Sequence, residues 1–193
     1  DKKLENAKRC LPGTYIQGTN CVDCEAGYYC PSPTSGRFEC EEGTYSEAKA
    51  TSCSPALPGF KAESTKATEC NEGQYSVDGK SCADCPENSY CPAINRPPIP
   101  CLPGFYSASG QTKCKPCEAG YYCLSGAGRE QCEPGYYSYE GAFVCTICKP
   151  GYLCDGKGKT SPVEDPCQPG EYCPIIEGDG NAVTKAKKLQ CPE

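Results

Sequence analysis

CLPGFYSASGQTKCKPCEAGYYCLSGAGREQC, residues 101–132, carries the pattern from which most of the chain is built. Gly104 and Tyr106 follow Cys101 at three and five places. Cys114 and Cys117 form a CxxC. The same Gly and Tyr offsets return at Gly120 and Tyr122, and Cys123 closes a C-x5-C loop before Cys132 opens another copy. If the four cysteines of a copy are a, b, c and d, the first repeat reads Cys10, Cys21, Cys24, Cys30. The second opens at Cys40 and keeps b at Cys53. The third is Cys70, Cys82, Cys85, Cys91, and the fifth is Cys132, Cys145, Cys148, Cys154. A partial sixth holds Cys167 and Cys173, and Cys191 stands alone. The a cysteines recur roughly every thirty residues, the period of a tandem array of supersecondary units.

Composition sets the class. The chain has 21 Cys, 21 Gly and 19 Pro in 193 residues, a disulfide-scaffold composition. Trp and Met are absent and there are four Phe, so side chains for one large core are missing. The main aromatic supply is 14 Tyr, which keep a polar tip at the surface. The expected fold is small and disulfide-rich: an elongated tandem array of short β-hairpin modules with little helix and no single globular core. So many bridges need an oxidising compartment, which points to an extracellular protein, secreted or at the cell surface. With no His and no two CxxC pairs at zinc-ribbon spacing, no metal site is expected. No apolar run approaches the ~20 residues of a membrane helix. No initiator Met or signal peptide is present, so the chain reads as a mature form or a fragment.

The net charge is −6. It is uneven, with basic segments at residues 1–9 and 182–190 around an acidic body. That body argues against nucleic acid or anionic lipid as partner. Basic ends on an acidic body suit contact with another copy; solvated tails are the plainer alternative. No N-x-S/T sequon occurs, and Ser32–Ser35 is a compositional candidate for O-glycans.

Each Cys-x-x-Gly-x-Tyr has a local physical reading. A tight turn after the cysteine needs positive φ at Gly, and a short strand then presents Tyr over the disulfide. The a–b segment continues as a hairpin whose turn holds Asp78-Gly79, Gly110 or Gly141. A lone hairpin is marginal, but a bridge closing a loop of this size contributes about 3 kcal/mol. The resulting organisation is a basic N-terminal segment 1–9, repeats at 10–39, 40–69, 70–100, 101–131 and 132–166, and a partial repeat with a basic C-terminal segment at 167–193. Linkers such as Pro92–Pro100, Leu124–Gln131 and Asp155–Pro166 read as Pro- and Gly-rich spacers, with Asn95–Pro100 extended as polyproline II. Lys2–Arg9 and Val183–Gln190 are the helix candidates.

The second repeat discriminates between bridge patterns. Aligned on Cys53, its c and d positions are Ala56 and Ala62, while a and b remain. A bridge within c and d predicts such joint loss; other pairings would orphan two thiols. The expected bridges are Cys10–Cys21, Cys24–Cys30, Cys40–Cys53, Cys70–Cys82, Cys85–Cys91, Cys101–Cys114, Cys117–Cys123, Cys132–Cys145, Cys148–Cys154 and Cys167–Cys173. Residues 54–69, without the second bridge, read as a more flexible joint. Cys191 is left unpaired or intermolecular, or else opens a further repeat.

Residues 10–173 resemble the ephrin-receptor-like cysteine-rich repeats, themselves similar to the first module of tumour-necrosis-factor-receptor repeats. The signature C-x2-G-x-Y…C-x2-C-x2-G-x-Y reads here from Cys101 through Tyr106, Cys114 and Cys117 to Tyr122. The GYYC form at Gly27–Cys30 and Gly120–Cys123 looks like long arrays in protist surface and secreted proteins. The resemblance implies an extracellular module used as spacer, receptor ectodomain or filament component, and carries over no ligand-binding residue.

Catalytic, cofactor-binding and metal residues are not expected, and the chain is not read as an enzyme. There is no His for general-base work. The CxxC pairs at 21/24, 82/85, 114/117 and 145/148 read as neighbouring bridges rather than redox centres. Glu177–Asn181 has alternating oxygen ligands but lacks a complete calcium-loop pattern, and a polar loop is favoured. The leading expectation is an extracellular structural protein, a disulfide-stapled repeat rod that self-associates into a filament, coat or appendage. Its partners would be other copies of itself or related repeat proteins, met through exposed Tyr edges and acidic turns. The alternative is a receptor or adhesion ectodomain segment that binds a protein or glycan ligand.

Overall fold

The computed structural model describes residues 10–176, 185–186 and 188–191. Every regular element among them is a short strand, and the strands form eleven two-stranded antiparallel ladders. Most pairs are two residues long. Three run to four: Thr14–Gln17 with Asn20–Asp23, Phe60–Glu63 with Lys66–Glu69, and Tyr121–Leu124 with Gly128–Gln131.

The recurring structural element is half of the sequence repeat. In the first half, the strand after a pairs with residues at and just beyond b. Tyr106 lies opposite Lys115, and Tyr137 opposite Thr146. The two middle residues of each CxxC therefore belong to a strand. In the second half, the strand after c pairs with the segment just before the next a. Tyr29 lies opposite Phe38, Tyr90 opposite Ile99, and Tyr121 opposite Gln131.

This corrects the spacer reading of the linkers. Ile99–Pro100 and Gly128–Gln131 are hairpin strands, and Asp155–Pro166 contributes bridges from Lys159 to Tyr137 and from Pro166 to Tyr152. Proline is tolerated because each ribbon has an open edge where no N–H is needed. The helix expected over Val183–Gln190 is replaced, in its described residues, by strands Lys185–Ala186 and Leu189–Gln190. An eight-residue segment is too short to hold a helix without packing, whereas each strand has a ladder partner. The candidate helix Lys2–Arg9 lies outside the described residues.

Main-chain hydrogen bonds join successive half-repeats. The residue that opens a half donates its N–H to the turn residue of the half before it. Cys24 donates to Gly13 (2.8 Å), Cys40 to Gly27 (3.0 Å), Cys117 to Gly104 (2.8 Å) and Cys132 to Gly120 (2.9 Å). The turn residue in turn donates forward, Gly104 to Cys123 O (2.8 Å) and Gly120 to Ser138 O (3.0 Å). Both glycines have φ near +85°. A Cβ on either would lie 2.3 Å from a backbone oxygen, that of Gly141 or Gly158. Glycine is thus required twice over, for handedness and for close approach. One half departs: Asn88 occupies the glycine place at φ +59°, and Cys101 still donates to it at 2.9 Å. Asn is the side-chain-bearing residue best suited to this region.

The interior is correspondingly thin. Among the described residues, its buried apolar side chains are cysteines and Ala56, including fully enclosed Cys24, Cys30, Cys117 and Cys123. The chain divides into two compact units, Asp1–Cys85 with Cys91–Pro98, and Pro86–Tyr90 with Ile99–Glu193. In the first, Ala56 sits in the interior at the opener position, and Ala62 donates its N–H to Gly79 O at 2.8 Å. Residues 54–69, expected as a loose joint, contain one of the long ladders. The extra paired residues hold the half whose bridge is absent.

Candidate interaction surface

Nine disulfides join a to b or c to d wherever those cysteines exist, and a tenth closes the C-x5-C of the partial repeat. They run from Cys10–Cys21 and Cys24–Cys30 to Cys148–Cys154 and Cys167–Cys173. The missing c–d bridge of the second repeat leaves Cys40–Cys53 by itself. Both members of each CxxC lie in different bridges, as in Cys114 with Cys101 and Cys117 with Cys123. Cys191 is unpaired and exposed. The Glu177–Asn181 loop lies outside the described residues. Among the described residues, no three His, Cys, Asp or Glu side chains are grouped to hold a metal. No helix there is long and apolar enough to cross a membrane.

Four buried polar side chains were not singled out in the sequence. Ser46, Ser76, Ser107 and Ser138 are at most 4% exposed. Each stands six residues after an a cysteine, where the c half carries its d cysteine. The signal is Gly-x-Tyr-Ser alternating with Gly-x-Tyr-Cys. In one half the enclosed position is stapled by sulfur. In the other, a hydroxyl donates to the preceding half: Ser46 to Tyr28 O (2.8 Å), Ser107 to Ser89 O (2.6 Å), Ser138 to Tyr121 O (2.7 Å). A buried hydroxyl needs such a partner.

With the interior taken up by cystine and serine, varied chemistry is left to the surface. One cluster there occurs twice. In the fourth repeat, Arg129 lies over the rings of Tyr106 (5.3 Å) and Tyr121 (5.2 Å) and pairs with Glu118. In the first, Arg37 lies over Tyr15 (5.9 Å) and Tyr28 (4.6 Å) and pairs with Glu25. The four residues hold matching places in the two repeats: five after a, one and four after c, and three before the next a. A sequence signal was present in Gly36-Arg37 and Gly128-Arg129, each arginine three places before a cysteine. Each arginine is attracted to the ring faces and ties the two hairpins of its repeat together. Contacts of this exposed kind are each worth about 1 kcal/mol or less. Tyr106 donates its hydroxyl to Glu118 at 3.0 Å. That bond, with partial burial, raises its pKa above the usual tyrosine value. Tyr122, donating to Glu130 at 2.5 Å, is raised for the same reason.

Two shallow grooves also recur at matching positions. One, in the second compact unit, is about 330 Å³ and is lined by Tyr90, Pro100, Leu102, Phe105 and Lys113, with Ile99 beside them. Its counterpart in the first unit is about 310 Å³ and is lined by Tyr29, Glu39, Glu41, Thr44 and Ser52. The tyrosines correspond, as do Pro100 with Glu39, Leu102 with Glu41, Phe105 with Thr44, and Lys113 with Ser52. The same backbone site is apolar with an ammonium rim in one copy and acidic in the other.

No protein-family model matches the chain. It is 30% identical over 128 residues to human "Signal peptide, CUB and EGF-like domain-containing protein 3", covering 62% of this chain and 11% of that protein. It is 33% identical over 91 residues to human "Ephrin type-B receptor 4", covering 45% and 9% respectively. It is 29% identical over 111 residues to "Cysteine repeat modular protein B" of Toxoplasma gondii, covering 54% and 1%. The chain thus spans a small part of the length of each of these relatives. These matches and the tandem bridged hairpins make the chain an extracellular-type cysteine-rich repeat array, similar to the repeats of ephrin-receptor-like proteins and of the Toxoplasma repeat protein.

Proposed function

We propose that this chain is an extracellular structural array that self-associates into a filament, coat or appendage. Its repeats are those delimited at 10–39, 40–69, 70–100, 101–131 and 132–166. The observation that carries the reading is the division of labour within each half-repeat. Backbone bonds, cystines and buried serines make the fold, so neighbouring repeats can vary their surfaces without altering it. Recognition by such a chain is distributed over repeated exposed features rather than gathered in one enclosed site. Other copies of the chain are the partners, with O-glycans at Ser32–Ser35 as a modification. Sedimentation equilibrium of the purified, disulfide-intact chain tests this. A mass that rises reversibly with concentration supports it, and a monomer across the whole accessible range refutes it.

The second reading is a receptor or adhesion segment that binds a protein or glycan. Its support is the match to a protein named as a receptor, which covers 45% of the chain. Saturable binding of the monomeric chain to cells or to a glycan array would favour it.

A further inference from the structure

We propose that self-association is head-to-tail, with the Phe38 corner of one copy seated in the Tyr90–Phe105 groove of another. The inference rests on the self-association reading above and gives it a specific contact. It starts from the two equivalent grooves. In the second compact unit, Ile99, Leu102 and Phe105 are 39%, 72% and 40% exposed. Isolated exposed apolar side chains are common, but here they share a concave site with Tyr90 and Pro100. Its charged lining residue is Lys113.

The occupant is a second copy because the matching site in the first unit is its chemical complement. There Phe38 is 44% exposed, with its ring 5.4 Å from that of Tyr29. Tyr29 lines the acidic groove with Glu39 and Glu41, which hold the places of Pro100 and Leu102 in the other groove, so the Phe38 ring packs on one of the groove's lining residues. One site presents an exposed aromatic ring packed against a tyrosine of an acidic groove. The other presents an apolar hollow with an ammonium at its edge. Two acidic sites would repel, and two apolar ones would leave Lys113 without a counter-charge. The favoured contact therefore joins unlike sites. Because each copy carries one of each, both remain available at the ends after every addition. Such a contact propagates as an open chain unless its rotation closes a ring. Burying the ring removes apolar surface from water, and the carboxylates set the register of the partner.

The test uses the whole chain with Cys191 alkylated, so that thiol coupling adds no mass. Phe38→Asp blocks one site and Leu102→Asp the other; both side chains are exposed, and far-ultraviolet circular dichroism and a bridge count check that the fold is kept. Each variant alone is expected to weaken self-association at least tenfold in sedimentation equilibrium. Mixed together they are expected to form a one-to-one complex that grows no further, since each supplies the site the other lacks. If the wild-type chain associates and neither variant weakens it, the Phe38 contact is wrong while self-association stands. If both variants weaken it but the mixture stays monomeric, the two sites do not bind each other and the head-to-tail arrangement is overturned. A strictly monomeric wild-type chain overturns the underlying reading as well.

Discussion

Cys191 donates its backbone N–H to the carbonyl oxygen of Gly170 at 3.0 Å. Cys132 has this bond with Gly120, and Cys117 has it with Gly104. Cys191 thus stands where a half-repeat opens, although its thiol is unpaired and exposed.

The first prediction concerns that thiol. Of 21 cysteines, one should react with a thiol reagent in the native, non-reduced chain. Peptide mapping should place the label on Cys191 and should recover Cys10–Cys21, Cys24–Cys30 and the remaining a–b and c–d peptides. A second labelled site, or a peptide linking b to c, would contradict the bridge pattern. Cys191→Ser should leave the ladders intact, because the hydrogen bond to Gly170 comes from the backbone.

Two glycines separate handedness from close approach. Gly104 and Gly110 have φ of +85° and +74°. A Cβ on Gly104 meets Gly141 O at 2.3 Å, whereas one on Gly110 meets nothing within 4 Å. Gly110→Ala should destabilise by about 1 kcal/mol, the conformational penalty alone. Gly104→Ala must also displace the Gly141 turn, two half-repeats on, and should cost several-fold more, read in hydrogen exchange as lost amide protection at Cys117 and Cys123, whose bonds run to Gly104 and Ala142. Equal protection loss in the two variants would remove the packing argument.

The buried serines make a third case. Ser138→Ala leaves Tyr121 O without the hydroxyl donor at 2.7 Å. The expected loss is about 1–2 kcal/mol. It should appear as faster exchange of the Gly120 amide, which donates to Ser138 O and joins the same two half-repeats at their backbones. Unchanged exchange would show that the hydroxyl does not hold them together.

Acid should loosen residues 159–165 before the stapled hairpins. Glu164 Oε1 accepts the N–H of Thr160 and of Ser161, each at 3.0 Å, and Oε2 lies 3.4 Å from Lys159 Nζ. The Thr160 N–H is the largest of the influences that lower the Glu164 pKa. A lowered folded-state value means the stabilisation is complete above the unfolded value of about 4.3 and is lost as pH falls through the folded one. The Thr160 and Ser161 amide resonances should therefore shift together below about pH 4, and Glu164→Gln should abolish the step. Titration of those amides near neutrality would contradict this.

Much of the fold was legible because its determinants are local. Cys-x-x-Gly-x-Tyr spans six residues, and its turn depends on the glycine within it. The paired losses at Ala56 and Ala62 pointed to the a–b and c–d bridges without coordinates. The linkers were harder to read. Pro-Pro-Ile-Pro at residues 97–100 has no strand alternation, and its pairing with Ser89–Tyr90 depends on the fold of the neighbouring half.

By itself, the sequence determined a tandem array of bridged hairpins, its period and its oxidising environment. These follow from cysteine spacing and from the shortage of core-forming side chains. Only the tertiary structure decided that the linker before an a cysteine completes the second hairpin, that Ser107 and Ser138 are enclosed, and that Arg129 spans two tyrosines. It also showed that equivalent grooves differ in charge. The physical reason is separation along the chain. Ser138 bonds to Tyr121 and Arg129 reaches Tyr106, pairs joined by main-chain geometry between hairpins rather than by sequence proximity. Polar residues at such positions read as surface until the bonds that enclose or orient them are in place.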